Sequence, residues 1–316
     1  MAKSARSTRD QGGLEVAPPL RKRIKEPREH LALSAPRQTT DRAADNAIGF
    51  DFARACPLLT DAAARAGAAI MRHHHEGPQV ELKQDSSPVT LADRESEAII
   101  LEALQQLAPE IPVVSEEAAS APITKPASSF FLVDPLDGTK EFIRKRSDFT
   151  VNIALIEQGT PRFGLVYAPA RSLLALTIAV GAAIEANLDP SPEGAELAKL
   201  DGRLLRVREA QSERLVAVVS HSHLDSATEQ FMSKLNVAKR SSAGSSLKFL
   251  LIARGEADLY PRFGPTMEWD TAAGQAVLAA AGGKVVDAEG GPLRYGKIET
   301  GLLNPSFVAW GTSPTK

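Results

Sequence analysis

The sequence predicts a layered fold of mixed strands and helices, α+β or α/β in class. Two observations predict it. Apolar runs of strand length, such as residues 130–133 and 215–219, share the chain with segments of helical period, such as residues 50–75 and 271–281. The two kinds follow one another in mixed order, which calls for sheets covered by helices, and no repeat of solenoid period replaces them. At 316 residues, 43% of them hydrophobic, the chain can bury one large core or two modest ones.

Residues 1–48 stand apart, with 10 Lys/Arg against 6 Asp/Glu, a Pro18-Pro19 pair and the basic run Arg21-Lys22-Arg23-Ile24-Lys25. They sustain no apolar period and read as a disordered, solvated extension, or as residues upstream of the true start. Residues 50–75 are Ala-rich, and Phe52, Ala55, Leu58, Leu59 and Ala62 recur at helical spacing. The helix ends in His73-His74-His75; consecutive positions point in different directions, so the triplet reads as a solvated helix end rather than a metal site. Residues 80–83 suit a short strand and 85–88 a loop. A second helix spans 92–107, with Thr90 or Asp93 as its cap or first-turn charge.

Residues 130–133 read as a buried strand, and Pro135 forbids its smooth continuation. Residues 149–156, 161–167, 173–178 and 182–185 alternate as antiparallel strands. Residues 189–202 contain Pro190, Pro192, Gly194 and Gly202; they form a loop that divides the folded part into halves 49–188 and 189–316. Beyond it come a strand at 215–219, helices at 224–235 and 247–254, a strand at 257–260, a helix at 271–281, and strands at 284–287 and 307–310.

Composition narrows the setting. A net charge of −2 gives no general reason to expect nucleic-acid binding. The basic tail offers a peripheral contact for a membrane surface, although a solvated tail is the stronger reading. The single cysteine, Cys56, excludes an internal disulfide, fits a reducing cytoplasm and reads as a small apolar residue in a helix. No run reaches transmembrane length, and residues 1–13 lack the apolar core of a signal peptide.

The chemistry concentrates at residues 133–142. Asp134 and Asp137 follow the buried strand, and Gly138-Thr139-Lys140-Glu141 follow them. Carboxylates that close repel unless a cation lies between them, and hard oxygen ligands suit Mg²⁺. Gly138 lets a ligand approach the backbone. Thr139 is expected as the N-cap of a helix whose first N–H groups face a phosphate. An isolated pair of this kind reads first as a surface turn. Two distant segments change that reading: Glu116-Glu117 close another apolar run, and Asp270 precedes a helix of small residues. Three carboxylate clusters at element ends suit a shared metal site for phosphate hydrolysis.

Glu116-Glu117, then DPLDGT at 134–139, then WDTAAG at 269–274 with AGG at 281–283, resemble the inositol monophosphatase superfamily. The resemblance runs from about Phe50 to the C-terminus. Within it, Lys140-Glu141-Phe142, residues 219–223, residues 244–248 and residues 259–266 resemble the CysQ-type 3'(2'),5'-bisphosphate nucleotidases. It implies an αβαβα sandwich of the inositol monophosphatase/fructose-1,6-bisphosphatase type and lithium-sensitive catalysis with two to three Mg²⁺ ions. It implies metal ligation by Glu116, Asp134, the Leu136 carbonyl, Asp137 and Asp270. Glu117 is implied to reach a further ion, Thr139 to orient water, and Asp93 to accept the Thr139 hydrogen bond. For Asp93 the capping role remains an equal reading.

Gly138, Thr139, Ser220, His221, Ser222, His223, Gly244, Ser245, Lys248 and Arg262 are candidates for binding substrate. The last two supply cations for a second phosphate. The implied substrate is adenosine 3',5'-bisphosphate, cleaved to AMP and phosphate, which the resemblance ties to clearing a by-product of sulfate assimilation. Two alternatives stand beside it: an inositol-phosphate or sugar-phosphate phosphatase on the same scaffold, and a regulator that binds phosphometabolites without turnover.

Overall fold

Among the described residues a seven-stranded and a five-stranded β-sheet, beside a small two-stranded one, carry the fold, with helices between and outside the two large sheets. The structure, a computed structural model, describes residues 49–83, 88–118, 127–220 and 225–312. In chain order these form α1 (Phe52–Glu76), β1 (Val80–Leu82), β2 (Pro88–Thr90), α2 (Leu91–Leu107), β3 (Val113–Ser115), β4 (Ser129–Asp137) and α3 (Thr139–Ile143). There follow β5 (Thr150–Glu157), β6 (Thr160–Ala168), β7 (Leu173–Ala179), β8 (Ala182–Asn187), β9 (Gly202–Leu204), β10 (Leu215–Ser220) and α4 (Ser226–Ser233). The chain ends with β11 (Val237–Ala243), α5 (Leu247–Ala253), β12 (Leu259–Arg262), α6 (Ala272–Ala280), β13 (Lys284–Asp287) and β14 (Phe307–Trp310).

The first sheet has seven strands in the order β3-β4-β5-β6-β7-β8-β9, antiparallel except for the β3–β4 pair. The second has five, β11-β10-β12-β14-β13, with β10 parallel to both its neighbours. Alternation along β4 sends Phe131 and Val133 to one face and Phe130 and Leu132 to the other. The first pair packs with Leu59 and Ile70 of α1 and Ile100 and Leu104 of α2. The second packs with Phe249 of α5, Val277 of α6, and Tyr260 and Phe307 of the second sheet. That sheet's other face, including Val219, Leu259 and Val308, is covered by Met232 of α4. The order is α1/α2, sheet, α5/α6, sheet, α4, an αβαβα sandwich. A strand buried on both faces accounts for the unbroken apolar run at 130–133.

Two local expectations need correction. The strand does not stop before Pro135: β4 continues to Asp137. Asp134 pairs with Asn152 and Asp137 with Thr150, so Pro135 and Leu136 together face Val151 across a bulge. Proline's missing N–H is tolerated there, and the bulge turns both carboxylates the same way. Nor is Thr139 the N-cap of α3. Gly138 takes that place at φ +94, and Thr139 is the first helical residue, its hydroxyl free for other contacts. Three strands depart from the sequence expectation: the three-residue β2 and β9, and the longer β11. Lys239, Arg240 and Ser242 of β11 are exposed, because β11 is a polar edge held by main-chain pairing with β10.

The single cysteine behaves as an inert core residue: Cys56 donates to the Thr177 carbonyl (3.3 Å), and burial pushes its thiol up to about 12. The three histidines diverge. His73 meets Glu95 (3.2 Å), while His74 lies against the rings of Phe142 and Phe149. No helix among the described residues is long and apolar enough to cross a membrane.

The layers approach closely at α6, where a Cβ on Gly274 would lie 2.5 Å from Cδ2 of the buried Phe249. Gly274→Val is therefore expected to cost about 1–3 kcal/mol by overpacking. Urea denaturation measures it; wild-type stability would show that the α5–α6 contact yields.

Candidate active site

The carboxyl ends of β3, β4, β10 and β12 and the amino ends of α3, α5 and α6 meet at one cavity of about 230 Å³. Strand ends are where a layered α/β fold leaves main-chain groups and short side chains open to a ligand.

Asp134, Asp137 and Asp270 each bring a carboxylate oxygen within 4.8 Å of the other two. Asp134 accepts from the Leu136 N–H across the bulge (3.0 Å). Asp137 accepts from Asn152 Nδ2 (3.3 Å) and Thr150 Oγ1 (3.5 Å), which stand two apart on one face of β5. Asp270 accepts from the Met267 N–H (2.8 Å). Burial, then the charge of Glu116 and of the other two aspartates, raises Asp134 well above the usual carboxylate range. Burial and Asp137 do the same to Asp270. Burial pushes Asp137 up to about 6, against the pull of Lys248. Such a cluster ionises fully only with a cation among its oxygens. Three hard donors at this spacing fit a divalent ion of the Mg²⁺ kind.

Glu116 lines the same cavity, but its carboxylate and that of Glu117 are taken up by Lys83, at 2.9 and 2.7 Å. Burial works against the Lys83 charge, and the two glutamates overcome it, raising the ammonium pKa. Burial pushes Glu117 up to about 7 in spite of Lys83. Sequence reasoning gave Lys83 no role.

Asp93 combines the two roles left open for it. Its Oδ2 accepts from Thr90 N (2.8 Å) and Thr90 Oγ1 (2.6 Å), closing a capping box at the start of α2. Its Oδ1 accepts from Thr139 Oγ1 at 3.4 Å. The same hydroxyl lies 3.3 Å from the Leu136 carbonyl. Burial pushes Asp93 up to about 6, against the Thr90 hydrogen bonds.

The opposite wall is built by residues 244–248. Ser245, at φ +48, lies with its Oγ 2.9 Å from the Asp137 carbonyl and 2.8 Å from the Asp148 carbonyl, its one proton shared between them. The Gly244 N–H donates to Asp148 Oδ2 (3.0 Å). This loop presses so closely on the 137–139 turn that a Cβ on Gly138 would lie 2.4 Å from Ser245 Oγ. Position 138 must be glycine for space as well as for its φ of +94. Lys248 is buried beside the Tyr260 ring and donates to the Ser245 carbonyl (2.6 Å). Burial brings its pKa down to about 8, against the pull of Asp137. Arg262 reaches the carbonyls of Gly264 (3.1 Å) and Pro265 (2.8 Å). Ser220, Lys248 and Arg262 all line the cavity; His221, Ser222 and His223 lie outside the described residues.

Comparison with known proteins fits this geometry. The model of the inositol monophosphatase family matches residues 55–309. The chain belongs to the inositol monophosphatase family. Among curated members of the family, it is 43% identical over 248 residues to the 3'(2'),5'-bisphosphate nucleotidase CysQ of Shigella flexneri, a match covering 78% of this chain and 95% of that one. It is 44% identical to CysQ of Salmonella typhimurium, with the same coverage. Among solved structures of the family, CysQ from Bacteroides thetaiotaomicron superimposes with a TM-score of 0.68 at 37% identity, covering 84% of this chain and 99% of that one.

The raised carboxylates fix the pH dependence of the metal-free protein. Asp137 ionises near 3.8 when exposed and near 6 when folded. The stability it contributes is thus complete below pH 3.8 and is lost as pH rises through 6. Asp137→Asn is expected to gain melting temperature relative to wild type between pH 4 and pH 7 in chelator, and to lose that advantage in saturating Mg²⁺. Thermal melts across that range test it; a variant that is less stable at pH 7 in chelator would mark Asp137 as a structural residue.

Proposed function

We propose that this protein is a Mg²⁺-dependent 3'(2'),5'-bisphosphate nucleotidase that converts adenosine 3',5'-bisphosphate to AMP and phosphate. One observation carries the reading: the cavity that Asp137 and Asp270 of the carboxylate trio line is also lined by two cations, Lys248 and Arg262, near enough to feel those carboxylates. A substrate with one phosphate needs the carboxylates and their cations; the second phosphate of a bisphosphate gives Lys248 and Arg262 a partner of their own. The names of the CysQ relatives support the same substrate class.

Asp134, Asp137 and Asp270, with Glu116 and the Leu136 carbonyl beside them, would hold two to three Mg²⁺ ions, which supply charge neutralisation at the phosphate and an acidified water. Thr139 then orients the attacking water. With the Leu136 carbonyl taken up by a cation, its hydroxyl proton would go to Asp93 Oδ1, which leaves its lone pairs as acceptors for that water. Asp93, at about 6, is poised to take up proton density near neutral pH. Glu117 sits behind Glu116 and shares its lysine, ready for a further ion. Gly138 and Ser245 keep the phosphate end narrow. Ser220 lines the same cavity and is offered to the nucleoside part of the substrate. The hydrolysis needs no covalent phosphoenzyme.

Phosphate release from adenosine 3',5'-bisphosphate, AMP and inositol 1-phosphate, with Mg²⁺ and with chelator, tests the reading. Turnover of the bisphosphate that requires Mg²⁺ and falls with Li⁺ is expected; preference for inositol 1-phosphate would make this an inositol-phosphate phosphatase, and binding without turnover a regulator. Lys248→Met keeps the buried stem and removes the charge. It is expected to lower kcat/KM for the bisphosphate about ten- to a hundred-fold, the worth of a charge-assisted contact. It should barely change turnover of a monophosphate, and equal losses on both would assign Lys248 a general electrostatic role.

Thr139→Ala is expected to lower kcat by about 10²–10⁴-fold with little change in KM, as for loss of a proton-transfer partner. Thr139→Ser keeps the hydroxyl and should recover much of the rate. Identical rates in the two variants would reduce Thr139 to a helix residue.

A further inference from the structure

Asp270 reaches the carboxylate trio from the segment between β12 and α6, which pairs through one isolated bridge, Met267 with Leu303. Its main-chain carbonyl accepts from Ser246 Oγ (2.9 Å), and its carboxylate is aimed through the Met267 N–H (2.8 Å), so the direction of the side chain depends on where Met267 stands. Met267 is held from a segment more than thirty residues later. The buried Asn304 directs Nδ2 at the Met267 carbonyl (2.8 Å) and Thr271 Oγ1 (3.0 Å), with Thr266 Oγ1 at 3.2 Å. Its main-chain N–H donates to the Thr266 carbonyl (2.9 Å), and the Glu268 N–H donates to the Leu302 carbonyl (2.9 Å).

The grip closes on itself. Asn304 Oδ1 accepts from Lys297 Nζ (3.3 Å), which fixes the orientation of the carboxamide. That ammonium also pairs with the fully buried Glu268 (2.6 Å). The Glu268 carboxylate accepts in addition from the N–H groups of Gly296 (2.7 Å) and Lys297 (2.9 Å). Residues 296–304 therefore clasp residues 266–271 from both sides of Asp270.

We propose that Asn304 is a positioning residue for the cation centre: its carboxamide sets residues 266–271 so that Asp270 meets Asp134 and Asp137. The inference rests on the reading of Asp270 as a cation ligand. A partner that orients a ligand typically changes metal affinity by about 10–100-fold when removed. Without the donated hydrogen bonds, Met267 and Asp270 move together, and the trio loses its spacing.

The test is calorimetric titration of the metal-free protein with Mg²⁺, for wild type, Asn304→Ala, Asp270→Asn and the double variant. Asn304→Ala is expected to raise the Mg²⁺ dissociation constant about tenfold or more. In the Asp270→Asn background the same change should add nothing, because the residue through which it acts is already disabled. If Asn304→Ala does not fold, Asn304→Asp takes its place: it keeps the size and the acceptor for Lys297 but loses the donors. Wild-type Mg²⁺ affinity in a folded Asn304 variant, alongside weakened affinity in Asp270→Asn, would overturn the positioning role and leave the proposed function standing. Wild-type affinity in Asp270→Asn would instead remove Asp270 from the ligand set, and this inference with it.

Discussion

Asp134, Asp137 and Asp270 are drawn within 4.8 Å of one another from different parts of the chain, in surroundings where burial raises the pKa of each. Left alone, such a cluster works against the fold that makes it. The rest of the structure around the cavity is arranged to hold it open-handed to a cation: a bulge in β4 turns two aspartates the same way, Asn152 and Thr150 donate to one of them, and Met267 donates to the third. Each donor stabilises the charged form without filling the space between the oxygens. Nearby, Lys83 neutralises Glu116 and Glu117, so negative charge is compensated at one margin and concentrated at the other.

The sandwich gives this cluster a second, chemically opposite wall. β4 and the segment before α6 supply the carboxylates, while β12 and α5 supply Arg262 and Lys248. The Ser245 hydroxyl sits between main-chain carbonyls on both sides of α3 and shares its one proton between them. Gly138 allows that approach, since any side chain there would strike Ser245. The cations are themselves braced by carbonyl groups of their own loops.

Much of this was open to a reading of the residues alone. Periodicity located α1, α2, α6, the antiparallel run β5 to β8, and β13 and β14, because burial on a sheet face or a helix stripe imposes apolar spacing locally. The motif at 134–139 made a carboxylate pair visible, and Glu116-Glu117 and Asp270 completed a set that resembled one family. What escaped had no local signature. β11 is a polar edge that exists through pairing with β10; Pro135 reads as a strand end because a bulge depends on the partner strand's register.

The sequence by itself determined which side chains could bear charge and where buried segments lay, since both follow from residue type and spacing. Only the tertiary structure decided that Asp93 serves Thr90 and Thr139 at once, that Lys83 belongs to the glutamates, and that Ser245 locks a turn more than a hundred residues earlier. It alone placed Asn304 beneath the loop of Asp270. Hydrogen bonds and ion pairs of that kind join atoms within about 3 Å, and proximity in space between distant segments is a product of layer packing that no single stretch of chain encodes.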